Sequence, residues 1–269
     1  MRLPVWARRW ASLPIRNIPV RVRAGPNSGR RWSLAVAGRG AIAGRYESGR
    51  FEALASLVRP SEVFWDIGAH HGYATLIAAR QIRSPGCIVS FEPSSSNRWY
   101  LNRHLDWNGE GTVCVVGCAV ADTDRRNVFG GPGGSVSFHL GHCGESVEVR
   151  SITSLVGSGQ PFPTFLKIDV EGAESLVLEG AAPLLSDAMR EEALPTMLVS
   201  VHNELLYRRC LDFLKALDYR VLGSNRLADI VERGDAWSGD PDLLAVPSQR
   251  HRELPQMRSI PWFAEGPQL

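Results

Sequence analysis

No stretch of the 269-residue sequence approaches the roughly 20 consecutive apolar residues that a bilayer-spanning helix needs, and the amino terminus lacks the unbroken apolar core of a secretory signal. These absences point to a protein that stays cytoplasmic, with at most a peripheral touch on a membrane. Five cysteines, Cys87, Cys114, Cys118, Cys143 and Cys210, form no CxxC pair, which excludes a disulfide framework and a zinc ribbon. They read as small core residues in a reducing compartment. Lysine is almost missing: Lys167 and Lys215 are the only two, so positive charge here means arginine. No internal repeat is present.

What is there is ordinary for one folded domain, with 44% hydrophobic and 22% charged residues. The net charge of +2 hides an asymmetry, because residues 1–50 carry 11 Arg and a single Glu, or +10, and the remainder carries −8. With Trp6 and Trp10 flanking Arg8 and Arg9, the basic arm suits acidic headgroups at a membrane surface, or else is a solvated edge. The division expected is a basic arm and lead-in over 1–50, a catalytic domain over 51–248 and a carboxyl-terminal tail over 249–269.

From Ser61 onward, short β-rich runs alternate with helical patterns, the mark of a parallel sheet wrapped by helices. Strands are expected at 62–67, 87–91, 112–116, 163–168 and 196–201, with helices at 73–82, 94–108, 173–186 and 203–217. The pair 219–222 and 242–247 reads as an antiparallel hairpin at one edge, joined by a loop carrying Asn225, Arg226 and Asp229. Residues 119–150 break the alternation and read as an inserted hairpin and loop around Gly130-Gly131-Pro132-Gly133-Gly134. The fold class is therefore α/β: a Rossmann-like, doubly wound, mostly parallel sheet with an antiparallel strand at one edge.

The first strand runs into Asp66-Ile67-Gly68-Ala69-His70-His71-Gly72, and the second ends at Phe91-Glu92-Pro93. A glycine turn opening a helix brings backbone N–H groups against a ligand, and an acid at the end of the second strand accepts from ribose hydroxyls. A dinucleotide turn would read G-x-G-x-x-G, with the middle glycine making room for a pyrophosphate; here two imidazoles fill that space. Asp66, directly before the turn, suits a positively charged amino group. The combination favours S-adenosylmethionine, with Asp66, Gly68, Ala69, His70, Gly72 and Glu92 as its binding residues. Ala121 and Asp122, past the third strand, are placed near the adenine.

Further motifs follow in order: Gly44-Arg45-Tyr46-Glu47, Ala119-Val120-Ala121-Asp122, Lys167-Ile168-Asp169-Val170-Glu171-Gly172-Ala173-Glu174 and Val201-His202. Together with D-I-G-A and F-E-P they resemble the FkbM-type methyltransferases across about residues 42–248. The resemblance implies the class I methyltransferase fold and S-adenosylmethionine-dependent methylation of a hydroxyl on a sugar, glycolipid or secondary metabolite. Two positions depart from the family pattern, His70 where Asn is usual and Thr153 where Asp is usual.

An alcohol becomes a competent nucleophile when a nearby base takes its proton. His202, Asp169 and Glu171, at the carboxyl ends of two later strands, are the catalytic candidates, with His202 preferred as base because imidazole titrates near neutrality. Glu174 reads as structural, favoured at a helix start by the dipole. Lys167 either pairs with a carboxylate at the sheet rim or is exposed at an edge. The set His139, His142, Cys143 and Glu145 lacks a recognised ligand spacing and reads as a loop over the acceptor pocket; no metal is assigned. A catalytically silent methyltransferase-like binding module and a NAD(P)-dependent oxidoreductase are the alternatives. A nucleic-acid partner is disfavoured by the net acidic body and by the absence of an N/D-P-P-Y/F motif.

Overall fold

The computed structural model describes residues 17–130, 139–141, 145–233, 241–264 and 266–269. Its centre is a seven-stranded sheet built from β3 (Val63–Ile67), β4 (Cys87–Phe91), β5 (Cys114–Val116), β10 (Phe165–Ile168), β11 (Thr196–Ser200), β12 (Arg220–Gly223) and β13 (Asp242–Val246). The spatial order is β12-β13-β11-β10-β3-β4-β5. The order reverses between β3 and β10, the crevice where open α/β sheets bind ligands. The hairpin expected at one edge is present, with β13 running antiparallel to both β11 and the edge strand β12. This is the class I methyltransferase arrangement.

Alternation along the strands explains why both faces are covered. On β3, Trp65 and Ile67 join Leu166, Met197 and Val199 in one fully enclosed cluster, while Phe64 joins Phe165, Leu198 and Leu244 in the cluster on the other face. The first is covered by α6 (Glu174–Arg190) and α7 (Glu204–Ala216), whose Val177, Leu178, Cys210 and Leu214 point inward. The second is covered by α2 (Ser48–Leu57) and α3 (Tyr73–Gln81). Of the four described cysteines Cys118 and Cys210 are the core residues expected, whereas Cys87 is half-buried and Cys114 is exposed. No helix among the described residues is long and apolar enough to cross a membrane.

Four segments differ from the reading of the sequence. Residues 118–150 hold a second, four-stranded sheet of β6 (Cys118–Val120), β7 (Arg125–Gly130), β8 (His139–Gly141) and β9 (Glu145–Arg150), in the order β6-β9-β7-β8. The polar run Arg125-Arg126-Asn127 concealed β7, because one of its faces is solvated and its pairing with β9 is non-local. The loop expected at 225–229 is the helix α8 (Asn225–Arg233). The last twenty residues pack rather than trail: Phe263 is fully buried, and Gln268 bridges to Leu222. The amino-terminal segment also packs, through the hairpin of β1 (Pro19–Arg21) and β2 (Arg31–Ser33) and the short helix α1 (Arg39–Ala43). Val22, Trp32, Ala41 and Phe51 all enter the α3-side core.

Candidate functional site

Two glycines shape the turn after β3. Gly68 has φ +80°, and a Cβ there would lie 1.9 Å from the Asp169 carbonyl oxygen, so only glycine lets the β3 and β10 ends close together. Gly72 opens α3 with φ +88°, and a Cβ there would press to 2.4 Å on Leu101. Between them His70 sits at φ +51°, in the left-handed region that Asn, Asp and His enter more readily than other side chains. The departure from Asn is thus compatible with the turn. Its ring stacks on His71 at 3.7 Å. Burial, with Lys167 nearby, lowers the His70 pKa to about 4.

Glu92 closes the turn from the second strand. Its Oε2 accepts from the His70 N–H at 2.8 Å, and its Oε1 accepts from Ser94 N–H at 2.9 Å and Asn97 Nδ2 at 3.1 Å. A carboxylate has about four acceptor positions, so one direction remains for a ligand hydroxyl. Burial raises the Glu92 pKa against these three bonds, which act to lower it.

Asp66 does not reach the ligand side. Strand register places it opposite Lys167 on β10, where Lys167 Nζ lies 3.1 Å from Oδ1 and Thr75 Oγ1 donates to Oδ2 at 2.6 Å. The carboxylate is fully enclosed. The positive group that Asp66 faces is therefore Lys167 rather than a bound amino group. Lys167 also donates to the Gly68 carbonyl at 2.9 Å, tying the pair to the turn. Burial favours the neutral amine, but Asp66 and Asp169 outweigh it and the Lys167 pKa is raised.

One strand end further on, Asp169 and Glu171 line the cavity beside the turn. Burial acts to raise the Asp169 pKa, and Lys167, Arg50 and His202 overcome it, leaving the carboxyl lowered. Glu171 stands at φ +56°, and such strained backbone concentrates at functional sites. His202 Nε2 lies 3.6 Å from both Asp169 Oδ1 and Glu171 Oε2. Its Nδ1 lies 2.9 Å from Glu174 Oε1, an oxygen that also accepts from the Val170 and Gly172 backbone N–H groups. That contact holds the ring from its Nδ1 side and turns Nε2 toward the two cavity acids. Glu174 is thus both a loop clamp and the orienting partner of His202. The helix cap role falls to Asn203, whose Oδ1 accepts from Leu206 N–H. Asp169, Glu171 and His202 each offer a ligand atom within 4.8 Å of the others, close enough to hold a cation.

The cavity holds about 1080 Å³. One wall is Gly68, Ala69, His70, Glu92 and Asn97; its neighbour is Cys118, Ala119 and Val120. Ala121 and Asp122, expected at the adenine, lie outside this wall: Ala121 is buried against α6, where a Cβ on Gly180 would touch its carbonyl at 2.1 Å, and Asp122 pairs with Arg125 at 2.7 Å. The β-wall bends away one residue earlier than the motif suggested. Gly72 and His202 also stand behind the wall rather than on it. Thr153 donates to the Gly180 carbonyl at 2.8 Å and is a helix-packing residue, so the missing Asp takes nothing from the site. Of the loop set, Glu145 accepts from Ser95 N–H at 3.0 Å, whereas His142, Cys143 and the His139 side chain lie outside the described residues.

Sequence reasoning missed the opposite wall. Trp32, Tyr46, Phe51 and Tyr73 form an aromatic cluster, with Tyr73 4.7 Å from Phe51 and 5.5 Å from Trp32 between ring centres. Arg50 crosses from α2 to bond Asp242 Oδ2 at 2.9 Å and Glu47 Oε2 at 2.8 Å, and approaches Asp169 at 3.8 Å. Asp242 is itself enclosed, accepting from Ser200 at 2.8 Å and Trp262 Nε1 at 2.6 Å. Nothing local marks Arg50 among eleven amino-terminal arginines, because its partner lies 192 residues away.

The family model described as the methyltransferase FkbM domain matches residues 66–221, more than half of the chain. No curated protein sequence matches significantly. Among solved structures, a methyltransferase FkbM from Methylobacillus flagellatus is 21% identical over 71% of this chain, with a TM-score of 0.48. This chain spans only 45% of that protein. A SAM-dependent O-methyltransferase from Thermotoga maritima is 15% identical over 74% of this chain and 64% of its own, with a TM-score of 0.45. A Streptococcus mutans protein solved in complex with SAH is 10% identical over 73% and 94% of the two chains, with a TM-score of 0.46.

Proposed function

The chain belongs to the FkbM methyltransferase family, and from that premise we propose that it is an S-adenosylmethionine-dependent O-methyltransferase acting on a hydroxyl of a sugar, glycolipid or secondary metabolite. The observation that carries this reading is His202, its Nδ1 held by Glu174 and its Nε2 turned toward two acids on the cavity wall. The residues present suit the cofactor: a glycine turn that brings Gly68, Ala69 and His70 to the cavity wall, a strand-end Glu92 with one acceptor direction left, and room for both a nucleoside and an acceptor. Gly68, Ala69 and His70 would hold the methionine end, Glu92 a ribose hydroxyl, and Cys118 to Val120 the adenine.

The cofactor, when bound, supplies the electrophilic methyl group; this chain aligns the acceptor, excludes water and moves a proton. Asp169, kept ionised by Lys167 and Arg50, accepts a hydrogen bond from the acceptor hydroxyl. The hydroxyl proton passes through Asp169 or Glu171 to His202 Nε2 behind the wall, 3.6 Å from both acids, and Glu174 stabilises the imidazolium. Glu171 fixes the acceptor from the other side. Incubation with methyl-labelled S-adenosylmethionine and a panel of sugar and glycolipid hydroxyls tests this. Label should appear in an ether, and His202→Ala should lower kcat about 10²- to 10⁴-fold while leaving S-adenosylhomocysteine affinity unchanged. Full turnover by His202→Ala removes the base from the scheme.

A further inference from the structure

Six large hydrophobic side chains are exposed among the described residues, and three of them, Ile18, Leu34 and Tyr46, lie in the first 46 positions. Ile18 and Leu34 sit together at one end of the β1–β2 hairpin, joined by the Leu34 N–H bond to the Ile18 carbonyl at 3.0 Å. The chain then runs directly into Ala35, Val36, Gly38 and Gly40, which form one side of the cavity, and Tyr46 completes that rim. Exposed apolar side chains therefore border the mouth of the site.

The charge on this segment has one sign. Ten Arg and no Asp or Glu precede Glu47, and the sixteen residues leading into the hairpin add Trp6 and Trp10 among four of those arginines. Arg21, Arg23, Arg31, Arg39 and Arg45 are exposed. Exposed aliphatic side chains on a segment that also exposes arginines combine shallow apolar insertion with attraction to anionic headgroups. A nucleic-acid surface would match the arginines but offers nothing to Ile18 and Leu34.

We propose that residues 17–46 dock the protein onto an anionic lipid bilayer, with Ile18 and Leu34 entering the headgroup layer and the cavity mouth opening toward the membrane. Because the rim and the docking surface are the same segment, a lipid-anchored hydroxyl compound would reach Asp169 without leaving the bilayer; this last step rests on the O-methyltransferase reading.

The test is co-sedimentation of the full chain with vesicles of phosphatidylcholine alone and of phosphatidylcholine with phosphatidylglycerol. Binding is expected only to the anionic vesicles, falling about tenfold between 50 and 500 mM salt as the charges are screened. Ile18→Glu with Leu34→Glu, and separately Arg23→Glu with Arg39→Glu, should each lower binding about tenfold or more. Titration with S-adenosylhomocysteine shows that each variant is folded and reports on the methyltransferase reading independently of lipid. Equal binding to both vesicle types, no binding to either, variants that bind like the parent, or tighter binding to duplex DNA or RNA than to anionic vesicles would each overturn the proposal.

Discussion

Asp66 and Asp169 come from neighbouring strands of one sheet, and both lie within ion-pair distance of Lys167, at 3.1 and 3.7 Å. Asp66 is sealed, whereas the Asp169 side chain keeps 23% of its exposure and lines the cavity. The difference is one of register. Asp66 pairs with Lys167 inside the ladder, one residue before β3 ends, on the face that α3 covers and Thr75 seals. Asp169 stands one residue beyond the end of β10, with part of its side chain open to the cavity. A carboxylate inside the last ladder pair becomes scaffold, and one just past it is free to meet a ligand.

The largest expected effect separates the two acids through their shared lysine. Lys167→Met leaves Asp66 buried without its cation, which should cost about 3–5 kcal/mol of stability and be visible in urea unfolding. Asp169→Asn should leave stability nearly unchanged and abolish most turnover. Equal destabilisation by the two variants would erase the distinction.

Acid should loosen the turn and hairpin before it reaches the cavity acids. Burial lowers the pKa of His104 to about 4, as it does for His70, and the structure shows why His104 stays neutral: Nε2 accepts from Ser33 N–H at 2.9 Å while Nδ1 contacts the His71 carbonyl at 2.8 Å. Above the ordinary imidazole pKa of about 6.5, folded and unfolded states are both neutral and nothing is lost. As pH falls below it, the unfolded chain takes up protons that the folded chain refuses, so stability declines until the folded value near 4. By pH 5 the loss should be on the order of 2 kcal/mol per group. Unfolding curves that coincide at pH 7.5 and pH 5 would contradict this assignment.

A smaller effect is expected at Glu92, a sealed acid that still faces ligand. Glu92→Ala should weaken S-adenosylhomocysteine binding by about 1.5–3 kcal/mol, the range for a hydrogen bond to a charged group, measured by calorimetry. Smallest is Thr153→Val, which removes the bond to Gly180 and should cost about 1 kcal/mol of stability with no change in cofactor affinity. A lost affinity there would return Thr153 to the site.

The parallel core was legible because its strands are short apolar runs between glycine turns, and Gly68, Gly72 and Glu92 were legible because each performs a local backbone task. Asp66 was placed on the wrong side of its turn, since nothing in D-I-G-A reveals that Lys167, 101 positions later in the chain, is its cross-strand partner. Glu174 looked like a dipole-favoured helix start, and only the fold brings it within 2.9 Å of His202. Tyr46 stood in a motif with no role attached, and Arg50 and the rest of the aromatic wall carried no local signal for the same reason: Trp32, Tyr46 and Tyr73 meet only once the amino-terminal hairpin has docked on α3. The polar face of β7 and the packed carboxyl-terminal residues were lost to patterns that imitate loop and tail.

The central claim is that this cavity binds S-adenosylmethionine through Glu92 and the Gly68 turn, with Asp169 and His202 reserved for chemistry. Calorimetric titration with S-adenosylhomocysteine and, in parallel, NAD tests it most directly. The expected result is binding of S-adenosylhomocysteine alone, weakened at least tenfold by Glu92→Ala and unaffected by His202→Ala. Binding of NAD, or S-adenosylhomocysteine binding that survives Glu92→Ala, would contradict the account.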